Sequence, residues 1–77
     1  MFTLMFWNKA GEALLIEDKQ SMLFYNLYGL AYGAANKFLP EMVKKGAVSM
    51  TITNPNECVY DEYPIINDDG YGMKVEF

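Results

Sequence analysis

Seventy-seven residues make room for one domain and not two, because a chain this short hides only about 60% of its unfolded surface. A hydrophobic share of 52% and a charged share of 21% fit a folded globule and exclude a disordered chain. Six lysines against ten acids leave a net charge of -4, with no histidine and no arginine anywhere.

Those absences remove whole classes of chemistry. Without histidine there is no imidazole base, no His-ligated metal, and no Ser/His/Asp or Cys/His nucleophile. Without arginine there is no bidentate clamp on phosphate or on a guanine edge. The phosphate-cradling glycine motifs are missing, and the net negative charge opposes direct binding to a nucleic-acid backbone. Cys58 has no cysteine to pair with in the chain and reads as a small half-buried hydrophobe. A free thiol and six methionines suit a reducing compartment, so the expected location is the cytoplasm. Met1 to Trp7 is apolar but has neither a basic leader nor a small-residue cleavage site, so no signal peptide is expected.

In chain order, Phe2 to Trp7 predicts a strand, with Phe2, Leu4 and Phe6 on one face and Thr3, Met5 and Trp7 on the other. Asn8, Lys9, Ala10 and Gly11 supply a turn, and Glu12 to Ile16 predicts the returning strand of a hairpin. Both strands are apolar on both faces near their centres, which suits a central place in a sheet or an edge covered by a partner. Asp18 is placed to cap a helix from Lys19 to about Leu39, ahead of Pro40. Leu23, Leu27, Leu30, Ala31, Ala34 and Phe38 form the stripe expected against the sheet, beside Phe24, Tyr28, Tyr32 and Ala35. Truncating Leu27 is therefore expected to cost about 2–5 kcal/mol. A further turn over Pro40 to Lys45 would end at Gly46.

Ala47 to Thr53 alternates, with Val48, Met50 and Ile52 opposed to Ser49, Thr51 and Thr53, as a half-buried strand does. Asn54-Pro55-Asn56-Glu57 has turn chemistry, after which Cys58 to Tyr60 predicts a short strand. Tyr63 to Gly72 reads as an irregular loop, and Tyr71 to Phe77 alternates as a final strand. The pattern is a single α+β domain over residues 1–77: an antiparallel sheet of about four or five strands packed on one long central helix.

The charge is uneven. Residues 1–53 carry five lysines and four acids; residues 54–77 carry one lysine and six acids. Tyr60, Tyr63 and Tyr71 lie among Asp61, Glu62, Asp68 and Asp69, and Ile65-Ile66 sits in the same segment. Tyrosine offers large contact area with few rotors, and carboxylates beside it steer a basic partner. Those seven tyrosines and acids are the candidate partner-binding residues.

Other constellations weigh less. Ile65, Asn67, Asp69, Gly70 and Glu76 fall at calcium-loop positions one, three, five, six and twelve, but isoleucine stands where a carboxylate ligand is needed, so no metal is expected. Gln20 to Asn36 is free of formal charge and contains Gly29-x-x-x-Gly33, a small-residue face suited to a second copy. At 17 residues with several amides, that run is short for a membrane span. The acid pairs Glu17-Asp18, Asp61-Glu62 and Asp68-Asp69 lack the apolar pocket that raises a carboxyl pKa.

The expected function is a non-enzymatic acidic protein-binding module with no cofactor, its partner a larger protein with a basic surface. A sharper form is an inhibitor whose carboxylates stand in for phosphates in a nucleic-acid-binding groove. In size and charge alone, the chain is similar to virus-encoded antagonists of bacterial defence enzymes. The alternatives are a structural or assembly protein that self-associates through exposed apolar strand or helix surface, with Gly29 and Gly33 as the candidate contact of a homodimer, and a small membrane-associated protein.

Overall fold

The computed structural model describes residues 1–54, 59–67 and 70–71, with only the backbone described for Val59, Tyr60, Ile66, Asn67, Gly70 and Tyr71. The chain forms β1 (Phe2–Asn8), β2 (Leu23–Tyr25), α1 (Tyr28–Lys44), β3 (Ala47–Asn54), β4 (Val59–Asn67) and β5 (Gly70–Tyr71). Four antiparallel strands in the order β2-β1-β3-β4 are extended at one edge by the two-residue β5. Because β2 and β3 are both antiparallel to β1, they run parallel to one another, and α1 is the crossover between them.

The first strand forms as its alternation predicts. Leu4 and Phe6 are fully buried, whereas Thr3, Met5 and Trp7 turn to the opposite face. Its apolar character on both faces matches its place between β2 and β3. The predicted hairpin partner is reduced to a single bridge, Trp7 to Ala13, with the Leu14 amide donating to the Phe6 carbonyl at 2.9 Å. The chain then makes a tight turn in which the Lys19 amide donates to the Ile16 carbonyl at 3.1 Å. Glu17 and Asp18 hold φ of 55° and 57° there, the positive values that a type I′ turn demands at both central positions. Asp18 thus sits in a turn and caps no helix; its carboxylate pairs with Lys45 at 2.7 Å.

The helix is displaced from its predicted range. Leu23 to Tyr25 pairs with Leu4 to Phe2 as β2, so tertiary pairing overrides the helical spacing of that segment. The helix starts at Tyr28 and runs through Pro40 to Lys44, with Gly46 at φ 99° closing it. Its buried face is Ala31, Ala35, Leu39 and Met42. This face lies between the two predicted stripes. Leu27, the N-cap residue, and Leu30 are 60% and 53% exposed, so the expected core role of Leu27 is corrected. Gly29 and Gly33 lie on the outer face, where an added methyl would meet nothing within 4 Å.

In β3, Met50 and Ile52 enter the core as expected, but Val48 is 45% exposed while Ala47 is buried. The register steps from Trp7–Ser49 to Asn8–Ala47, which makes Val48 the extra residue of a β-bulge and reverses its side. The predicted loop from Tyr63 onward is instead the body of β4, paired with β3 from Asn54–Val59 to Ser49–Pro64. The core therefore lies between α1 and one sheet face: Leu4, Phe6, Met50, Ile52 and Tyr63 from the sheet, with Ile16 closing one side. Among the described residues no helix is long and apolar enough to cross a membrane.

Candidate functional site

Of the acids and tyrosines singled out by sequence, the three whose side chains are described, Asp61, Glu62 and Tyr63, do not all share one face. Asp61 and Tyr63 pair with Ile52 and Met50, which puts both on the helix side of β4. Tyr63 is only 7% exposed and packs edge-on against Tyr32, with ring centroids 5.4 Å apart. Glu62, between them, faces the other way and is exposed. The backbone of Tyr60 lies opposite Thr53 and that of Tyr71 opposite Ile65. Asp68 and Asp69 lie outside the described residues, as do Cys58 and the Pro55–Glu57 turn. Of the calcium-loop positions, Ile65 and Asn67 are in β4 and Gly70 is in β5; Asp69 and Glu76 lie outside the described residues.

On the helix side, Tyr28 at the first turn of α1 donates to Asp61 Oδ2 at 2.7 Å. The Tyr28 and Tyr63 hydroxyls are 2.5 Å apart. With Tyr28's single proton directed to Asp61, Tyr63 is the donor to Tyr28, so the chain runs Tyr63 to Tyr28 to Asp61. Burial first, then the hydrogen bonds with Tyr63 and Asp61, hold the Tyr28 phenol far above its ordinary range. A phenol so reluctant to ionise is a poor acid or base near neutral pH, and this cluster serves to fasten the start of α1 to β4.

That fastening has a pH signature. The unfolded chain releases the Tyr28 proton near pH 10.0, whereas the folded chain keeps it. The contribution is complete below that pH and is lost as pH climbs above it, because the unfolded state then binds fewer protons than the native one. Tyr28→Phe should cost about 1 kcal/mol at neutral pH. It should also lose less stability than the parent chain between about pH 9.5 and 11. Urea melts at neutral and alkaline pH check both; parallel losses in the two proteins would refute the assignment.

At the other end of the helix, Lys45 Nζ donates to the Leu15 carbonyl at 3.0 Å and to Asp18 Oδ1 at 2.7 Å, and lies 3.4 Å from Glu41. The Asp18 hydrogen bond chiefly raises the Lys45 pKa. Glu41 also accepts from the Glu17 amide at 2.8 Å. These groups hold the strained turn against α1, and on an exposed surface they add little stability.

The face of the sheet away from α1 is different. Among the described residues no element covers it, and it carries a cleft of about 530 Å³ lined by Trp7, Lys9, Ser49, Thr51, Thr53 and Glu62 among others. The Trp7 indole Nε1–H donates to Thr51 Oγ1 at 2.9 Å, which satisfies the nearly buried hydroxyl and fixes the ring. Thr51 is in register with Met5 on one side and Glu62 on the other; the Trp7 indole reaches it from β1 by the hydrogen bond, so Trp7 and Glu62 belong to the strands on either side of β3. Phe24, opposite Thr3 and 56% exposed, extends this face toward the β2 edge. Sequence reasoning found Glu62 but missed Trp7 and the Ser49/Thr51/Thr53 row. Each alternation was visible, but only the pairing of β1 with β3, more than forty residues apart, sets them side by side.

No protein-family model, no curated protein and no solved structure matches this chain.

Proposed function

We propose that the chain is a non-enzymatic protein-binding module that receives a larger partner with a basic surface on the open face of its sheet. The supporting observation is that no element among the described residues covers this face, whose cleft is lined by a hydrogen-bonded indole and an exposed carboxylate. An aromatic anchor within a polar rim is how interfaces concentrate their energy. The net charge of -4 favours a positively charged partner and speeds its encounter. Asp61 and Tyr63 contribute by holding β4 in place and not by contact.

The test is capture from cell lysate at low and high salt with three proteins: the parent chain, Thr53→Arg on the open face, and Gly33→Arg on the outer face of the helix. A basic protein retained by the parent chain and Gly33→Arg, lost by Thr53→Arg and weakened by salt supports the reading. Equal capture by all three, or loss with Gly33→Arg alone, overturns it.

A second reading is self-association. Phe24, Leu27 and Leu30 are all more than half exposed at the edge strand β2 and the start of α1. Light scattering on the parent chain and on Leu30→Ser separates the two: a dimer that Leu30→Ser dissolves would favour this second surface.

A further inference from the structure

We infer that the cleft beside Trp7 is a receptor for the guanidinium of an arginine presented by the partner protein, stacked on the indole and paired with Glu62. This deepens the open-face reading and rests on it. Four observations carry it.

The first is preorganisation. Trp7 Nε1–H is already committed to Thr51, so the half-buried ring is held where it lines the cleft, and what it has left for a cation is its π system. The second is charge. Among the described residues that line the cleft, Glu62 is the one acid and Lys9 the one base. Glu62 is placed by β4 across from Thr51, whereas Lys9 belongs to the turn after β1 and is exposed. A cation thus has a strand-held carboxylate to pair with, while the one like charge is on an exposed turn side chain. The third is acceptor count. Ser49 and Thr53 flank Thr51 along β3 and line the same cleft as Glu62, so their hydroxyl oxygens add acceptors to its wall. A planar fork with five N–H donors uses such an array of acceptors beside an aromatic ring better than a compact ammonium does. The fourth is supply. The chain contains no arginine, so neither its own side chains nor a second copy can fill the cleft with a guanidinium. The cleft volume of about 530 Å³ is ample for one such side chain with part of its backbone and falls within the usual range of ligand sites.

The test uses the whole chain, labelled with nitrogen-15. The indole N–H signal belongs to Trp7, the single tryptophan in the sequence. The probes are four pentapeptides, Gly-Gly-X-Gly-Gly, with X as arginine, lysine, citrulline or aspartate. The arginine peptide should shift the Trp7 indole signal and the Thr51 and Glu62 amides saturably, with dissociation on the order of 1 mM. Lysine should bind more weakly and citrulline, isosteric but uncharged, hardly at all. Glu62→Gln should weaken arginine binding about tenfold, as loss of a charge-assisted pair does. Lys9→Ala should tighten it, since a repelling charge is gone. Both replaced side chains are on the surface, and an otherwise unchanged amide spectrum certifies the fold.

Citrulline binding as well as arginine, an unchanged affinity in Glu62→Gln, or shifts that avoid the Trp7 signal would each overturn the inference. Preference for the aspartate peptide, with Lys9→Ala weakening it, would overturn it in favour of an anion. If partner capture depends on the open face but the arginine peptide does not bind, this inference falls and the docking face stands. If the peptide binds but capture ignores the open face, the module reading falls and takes with it the claim that a partner protein presents the arginine.

Discussion

Phe6→Ala should remove about 3–5 kcal/mol of the domain's stability, a large share of what a chain this short holds. Phe6 is fully buried in a central strand, in register with Met50, and its carbonyl holds the returning segment through Leu14. Truncating a buried phenylalanine costs about 3–5 kcal/mol, the lost transfer energy plus the cavity left behind. At the usual stability per residue, a chain of 77 has roughly 4–12 kcal/mol in total. Met5→Ala, one residue away on the opposite face and only half-buried, should cost less than half as much. Urea melts followed by far-ultraviolet dichroism measure both. A loss below about 1 kcal/mol for Phe6→Ala would mean the core is not where the sheet and helix enclose it.

The second large effect separates two phases of the helix. Leu39→Ala should cost about 2–5 kcal/mol, because Leu39 is buried between α1 and the sheet. Leu27→Ala should change stability by no more than about 0.5 kcal/mol, because that side chain stands at the helix N-cap in solvent. The periodicity of residues 23–38 alone ranks Leu27 as core, so reversed magnitudes would restore that phase. Thermal melts of the two variants decide it, since each removes the same atoms from the same residue type.

The candidate site was only partly legible. Glu62 could be picked out because acids and tyrosines crowd one third of the chain. Composition along a segment, however, carries no side. Once β4 is a strand, Asp61 and Tyr63 go to the core and Glu62 to the open face, since the side-chain period is two. Tyr63, which looked like a contact residue, is nearly buried, hydrogen-bonded to Tyr28 and packed edge-on against Tyr32.

The sequence alone determined the class of fold, the inward face of β1 and most of the inward face of β3, and the glycine that ends the helix. Each of these follows from a local rule: alternation in a strand, or the positive φ at Gly46 that a side chain resists. It also determined that no imidazole or guanidinium chemistry belongs to this chain. Tertiary structure decided which apolar run pairs and which coils. Leu23 to Tyr25 has helical spacing but gains more as the strand completing β1, and the helix begins after it. Tertiary structure also decided the sides of Val48, through a bulge, and of Trp7 relative to Glu62, through β3 standing between their strands. Such outcomes depend on contacts between residues far apart in the chain, whose energies no local pattern contains.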